Sequence, residues 1–144
     1  MLSKSCQYAI KALMYICLKS EEDQNARLQD ICKALDSPPA FTSKILQQLV
    51  LADFISSKKG ANGGFRITAE KCQSITLKAI ITVIDGKPLT QGCFLGLSEC
   101  SDEKPCPVHH IYYCIKGDLN QKLMDLPLKH ILNDPKITNV NLKV

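Results

Sequence analysis

Residues 93–110, CFLGLSECSDEKPCPVHH, hold three cysteines and two histidines within eighteen positions. Thiolate and imidazole are the side chains that best bind zinc, copper and iron–sulfur groups, so the stretch is a candidate metal centre. Cys93, Cys100 and Cys106 are separated by six and five residues, and His109 lies three beyond the last of them. Structural zinc sites more often use cysteine pairs two to four residues apart. Wider spacing suits a loop that wraps a group larger than one ion, and Pro107 follows Cys106 as a proline often follows the terminal ligand of an iron–sulfur run. A site with three cysteines needs a fourth ligand. His109 is the nearest, because an imidazole can replace a thiolate on one iron. His110 lies about 100° further round a helix and is not expected to bind with it. The expected cofactor is an iron–sulfur cluster on Cys93, Cys100, Cys106 and His109, with 2Fe–2S expected and 4Fe–4S the alternative, a choice the spacing itself does not make. Cys17, Cys32 and Cys72 occur singly in apolar patterns and read as small core residues, while Cys114 is ambiguous.

The rest of the composition bounds what such a centre can serve. The chain has 144 residues, 45% hydrophobic and 22% charged, which is enough for one core but not for two large domains. No apolar run approaches the roughly 20 residues of a membrane span, and the N-terminal MLSKSCQYAIKALMYICLKS mixes polar with apolar residues, so a cytoplasmic location without membrane contact is expected. Thiols stay reduced there, which disfavours a disulfide framework for the eight cysteines and favours metal binding or redox chemistry. No catalytic base, nucleophile pair or phosphate loop stands out, and an enzyme is not expected.

Elements that could position the cluster follow from periodicity. Cys6, Ala9, Ile10, Leu13 and Cys17 recur at helical spacing and predict a helix over 3–19. RLQDICKALD predicts a shorter one with Leu28, Ile31, Cys32 and Leu35 on one side, broken at DSPPA. Ser37 and the two prolines then open a third helix, AFTSKILQQLVLAD, Ser37 as its cap. FISSKKGANGGFRIT reads as a hairpin around a glycine-rich tip, and SITLKAIITVIDG as a helix ended by Gly86. Val108, Ile111, Tyr112, Ile115, Leu119 and Leu123 form a stripe for a long helix of about five turns, weakened at Gly117. LPLKHILND predicts a last short helix before a polar, frayed tail. The expected fold is mainly α with a small β-hairpin wing: a winged helix-turn-helix over 1–71, continuous with a cysteine loop and dimerisation helix over 72–144.

A winged helix-turn-helix reads duplex DNA with its second motif helix in the major groove and its hairpin on the adjacent backbone. The third helix offers Ser43, Lys44, Gln47 and Gln48 opposite its apolar face, groups suited to base edges and phosphate. At the tip, Lys58 and Lys59 are cationic anchors, and Asn62 with Gly60, Gly63 and Gly64 lets backbone amides approach phosphates. Net charge is only +4, but between Pro39 and Arg66 the cations Lys44, Lys58, Lys59 and Arg66 face the single anion Asp53.

From LSKSCQYAIKAL through the wing KKGANGGFRIT to the three cysteines and the long helix, about 130 residues, the chain resembles the Rrf2 family of iron–sulfur and redox-responsive regulators. The resemblance rests on the tyrosine–alanine pair near the start, the G-x-x-G-G-F wing and the cysteine triplet. It implies a homodimer held by the long helices through Val108, Ile111, Tyr112, Ile115, Leu119 and Leu123, bound to a palindromic double-stranded site. It further implies that Cys93, Cys100 and Cys106 are cluster ligands, with an IscR-like fourth ligand at His109. An NsrR-like fourth ligand would be a carboxylate near Gln7 of the partner's first helix. Gln7 departs from that pattern; Cys6 beside it could substitute as that ligand, although a partly buried thiol is the plainer reading. Lys59 stands where IscR-like wings carry arginine, and lysine binds as a point charge without a bidentate fork. The expected function is DNA-affinity control by the cluster or by the redox state of Cys93, Cys100 and Cys106. The alternative is a cluster-free or zinc-bearing repressor that senses thiol oxidation or a metabolic partner protein. An iron–sulfur carrier without a DNA role leaves the wing unused.

Overall fold

Ser3 accepts a hydrogen bond from the Cys6 amide at 3.0 Å and so starts the first helix, α1, Lys4–Glu21. The structure is a computed structural model and describes residues 2–136 and 142. The tail expected to fray falls largely outside the described residues. In α1 the small residues Ala9 and Ala12 and the larger Leu13 and Ile16 are buried together, letting helices α2, Leu28–Leu35, and α3, Pro39–Leu51, pack closely on it. Leu13, Ile16, Ile31, Leu35, Leu46 and Leu49 are fully buried at that junction. Each such side chain contributes about 1.5–3 kcal/mol by leaving water.

The turn between α2 and α3 is set by Asp36, which ends α2 in the left-handed region at φ 51°, and by the two prolines. Ser37 does not cap α3 as the sequence predicts. Its hydroxyl points inward and shares a 2.6 Å hydrogen bond with Thr42 Oγ1, so Pro38 takes the cap position without a side-chain bond. Strands β1, Ser56–Lys58, and β2, Gly64–Arg66, pair antiparallel with Ser57 opposite Phe65. This is the predicted hairpin.

A six-residue helix not predicted from the sequence follows, α4, Ala69–Ser74, capped by Thr68. It is short, and Cys72 is its only buried residue, so periodicity had little to register. Helix α5, Leu77–Asp85, is capped by Thr76 and ended by Gly86 at φ 77°, as expected. Helix α6 runs over His109–Leu119 and passes into a π-helical turn, Asn120–Met124. Gly117 does not break it. Helix α7, Leu128–Leu132, returns against α4 and the end of α1. Among the described residues no helix is long and apolar enough to cross a membrane.

Candidate DNA-reading surface and cysteine site

Helix α3 buries Thr42, Ile45, Leu46 and Leu49, which turns Lys44, Gln47 and Gln48 to the outside and leaves Ser43 half-buried. Three of the four predicted reading residues are therefore exposed on one side of the helix. Lys44, Lys58 and Lys59 make no ion pair among the described residues, so their charges remain available to an anion. By contrast Arg66 is spent on Asp23.

The wing does not stand alone, since a two-stranded hairpin is marginal in water. The loop between α1 and α2 braces it: Ala26 bridges Phe65 through N–H···O bonds of 2.9 and 2.8 Å. Asn25 Nδ2 donates to the Asn62 carbonyl at 2.8 Å, and Arg27 Nη2 donates to the Ala61 carbonyl at 2.9 Å. Asn25 and Arg27 were not singled out by the sequence, where Asn25 falls in a polar turn and Arg27 opens the second helix. Asn62 itself stays exposed beside Lys58 and Lys59. Two tip glycines serve the hairpin rather than an open surface. Gly63 is buried with its amide donating to the Gly60 carbonyl at 3.0 Å, and Gly64 sits at φ 136° against the Ala26 carbonyl. Only Gly60 of the three has open space around it.

The predicted cysteine triplet converges. The sulfurs of Cys93, Cys100 and Cys106 lie within 4.8 Å of one another, with 3.6 Å between Cys93 and Cys106. His109 Nδ1 lies 3.1 Å from Cys100 Sγ, and its Nε2 lies 3.0 Å from Asp102 Oδ1. A carboxylate behind an imidazole orients the ring and fixes which nitrogen faces the donor set. Asp102 had no part in the sequence reading, because its use depends on the loop's fold. His110 is exposed and stacks edge-on against His109 instead of joining the sulfurs.

Backbone amides tune the thiols. The amide of Leu97, and then that of Leu95, hydrogen-bond the Cys93 sulfur and hold its pKa down at about 7, against the opposing effect of burial. A bond from the Cys106 backbone lowers the Cys100 value, but burial and the neighbouring sulfurs of Cys93 and Cys106 outweigh it, so that thiol is pushed up. The Cys93 and Cys100 sulfurs thus sit in unequal surroundings within one cluster. The loop is anchored at its start by buried Thr90, whose hydroxyl donates to Asn120 Oδ1 at 2.8 Å, and by Phe94 packed 5.4 Å from Tyr112.

Helix α6 buries none of its own residues, and along the predicted stripe Ile111 is 67% and Ile115 58% exposed. Leu123 is also exposed, while Val108, Tyr112 and Leu119 are half-buried. At the start of α1, Gln7 donates to the Leu2 carbonyl at 3.1 Å, and Cys6 is fully buried, its thiol pushed up to about 12 by burial and then by Asp85. Cys6 is thus not on the surface where a partner's loop could reach it. Cys17 and Cys72 are buried, as expected of core residues, but they are not solitary. They are joined to each other, with Cα atoms 6.4 Å apart.

A helix-turn-helix with a braced wing, an exposed polar strip and a separate thiol cluster defines a DNA-binding regulator rather than an enzyme. Residues 2–134 match the family model described as Rrf2, iron-dependent transcriptional regulator, and the chain belongs to that family. An HTH-type transcriptional regulator of Aquifex aeolicus is 28% identical over 133 residues, 91% of this chain and 90% of that one. IscR of Vibrio atlanticus is 21% identical over 140 residues, 97% of this chain and 79% of that one. Among solved structures, CymR, the global cysteine regulator of B. subtilis, superposes with a TM-score of 0.74 at 18% identity, covering 92% of this chain and 95% of its own. That likeness shows the fold.

Proposed function

We propose that this transcription regulator acts as a homodimer on a palindromic duplex operator, and that an iron–sulfur cluster on Cys93, Cys100, Cys106 and His109 sets its DNA affinity. The observation that carries this reading is the convergence of three sulfurs within 4.8 Å on a loop outside the core, with an oriented imidazole at their edge. The donor set suits such a group: soft thiolates, one of them ionised near neutral pH, and a histidine backed by a carboxylate. When bound, the cluster would supply one-electron redox chemistry and sensitivity to iron supply and oxidants. The protein's own residues do the rest. Asp102 would hold the His109 ring with Nδ1 toward the sulfurs, and the Leu95 and Leu97 amides would stabilise negative charge on Cys93. Thr90 and Phe94 would couple the order of the loop to α6. Helix α6, with Ile111, Ile115 and Leu123 uncovered, would meet its copy across a two-fold axis. In that dimer Ser43, Lys44, Gln47 and Gln48 would face the major groove, with Lys58, Lys59 and Asn62 on the flanking backbone.

One observation favours a second reading, a zinc-bearing repressor: three sulfurs within 4.8 Å of one another, with an imidazole nitrogen 3.1 Å from the Cys100 sulfur, offer Cys3His donors, a composition typical of structural zinc. Anaerobic purification followed by visible absorption and metal analysis separates the two. A brown protein carrying iron and sulfide supports the cluster, and replacing Cys93, Cys100 or Cys106 by alanine should abolish its visible bands. Colourless protein with one zinc per chain supports the second reading. Operator affinity measured for loaded and stripped protein should differ by about 5- to 150-fold, the range of coupling free energies of about 1–3 kcal/mol. Equal affinities would refute regulation by the bound group.

A further inference from the structure

Two of the four cysteines outside the loop and α6 meet across the fold. Cys17 lies near the end of α1 and Cys72 on α4, 55 residues apart in sequence, with their Cα atoms within the 4.4–6.8 Å span that a disulfide bridges. Cys6 and Cys32, also buried, have no such partner among the described residues. Over the pair opens a cavity of about 100 Å³ lined by Ser20, Glu21, Thr68, Gln73 and Lys129. Ile67 and Ala69 also line it, so the lining is largely apolar with one charged pair beside the sulfurs: Glu21 Oε1 stands 4.0 Å from Cys17 Sγ, and Lys129 forms an ion pair with the same carboxylate. Buried thiols are ordinarily inert, but here a charged mouth leads to two sulfurs that can each resolve a bond made by the other.

The position gives the bond a consequence. Ile67, the residue after β2, donates its amide to Ser20 Oγ at 3.1 Å, and Thr68 caps α4 two residues beyond the wing. A covalent link from Cys17 to Cys72 therefore staples the chain leaving the wing to the helix at the centre of the fold. When the link opens, α4 is held by Cys72 packing, by the Lys71–Asp53 ion pair and by α7.

The geometry points to Cys17 and Cys72 as a second redox site, separate from the three-cysteine loop, that exchanges with low-molecular-weight disulfides and in its oxidised form locks the exit of the wing onto α1. One protein thiolate attacks a sulfur of the small disulfide and expels one small thiol. The second protein thiolate attacks the resulting mixed disulfide at the protein sulfur and expels the other. Two protein thiols and one small disulfide thus become one protein disulfide and two small thiols, the protein being oxidised by two electrons and the small disulfide reduced. This inference rests on neither the cluster nor the operator.

The test uses the full chain with Cys93, Cys100 and Cys106 replaced by alanine, equilibrated anaerobically in glutathione buffers from fully reduced to fully oxidised. Alkylation and peptide mapping should yield a crosslinked Cys17–Cys72 peptide that disappears on return to the reduced buffer, while Cys6 and Cys32 stay alkylatable after denaturation. The melting temperature should rise on oxidation, on the order of 10 °C for a loop of this length, and Cys72→Ser should remove that rise. Wild-type protein mapped in the same buffers guards against a variant that fails to fold. A folded protein with no crosslink in the oxidised buffer would overturn the proposal. So would a crosslink without a thermal shift, or a pair that instead retains one zinc per chain and resists oxidation.

Discussion

Replacing Gly63 by alanine tests how the wing is held. A Cβ at this position would lie 2.3 Å from the Lys58 carbonyl oxygen and 2.9 Å from that of Gly60. Carbon and oxygen approach to about 3.3 Å at closest in favourable contacts, so the Lys58 carbonyl must retreat by roughly 1 Å. Both obstacles are backbone, and neither can rotate away. The Lys58 carbonyl belongs to the last residue of β1, paired with Gly64, and the Gly60 carbonyl accepts the Gly63 amide at 3.0 Å. Relief therefore means opening the tip, with loss of at least one hydrogen bond and some strain in the turn, together about 1–3 kcal/mol. For a chain of this size that corresponds to a fall in melting temperature of roughly 3–10 °C. Circular dichroism melts measure the loss. Amide exchange localises it, because the Ala26 and Phe65 amides that tie the wing to the α1–α2 loop should exchange faster while those of α1 do not. Operator affinity should fall with it, since Lys58 and Lys59 ride on the same tip. Wild-type melting together with unchanged exchange at Ala26 and Phe65 would refute the steric reasoning.

Lys59→Ala should weaken binding to every duplex and lower the salt slope by about one, whereas Gln47→Ala should alter the preference between cognate and scrambled sites; titrations at several salt concentrations separate the two effects. Ile115→Glu should give a monomer by light scattering where the parent scatters as a dimer, because the side chain is 58% exposed in one chain and a charge at that seam would be buried unpaired. Cys6 supplies a pH dependence. Its thiol stays protonated in the fold up to about 12 but ionises near 9 once unfolded, so the unfolded form binds fewer protons in between and stability falls as pH rises through that window. Urea melts at pH 8 and 10.5 should show a steeper loss for the parent than for Cys6→Ala, and equal losses would contradict the burial of this thiol.

Much of the molecule is local, and what is local was readable. Helices α1, α2, α3 and α5 show in apolar residues recurring at helical spacing, and Gly86 marks an end because a left-handed cap is cheapest without a side chain. The hairpin shows in its glycine tip. The cysteine triplet is local too, fourteen residues of loop whose composition announces a thiol site before any packing is known. What required the tertiary structure is every pairing between distant segments. Cys17 and Cys72 look alike as solitary apolar-pattern cysteines, and only the return of α4 against the end of α1 makes them neighbours. Asn25 and Arg27 become wing braces through bonds that span 37 and 34 residues. Ser37 turns inward because Thr42 offers its hydroxyl a partner, which a local capping rule does not anticipate. Asp102 is one acid among several in an exposed loop until the fold brings it to His109. Side-chain periodicity carries the hydrophobic sorting of each element, whereas the partners of polar and sulfur atoms depend on distances that only the folded chain fixes.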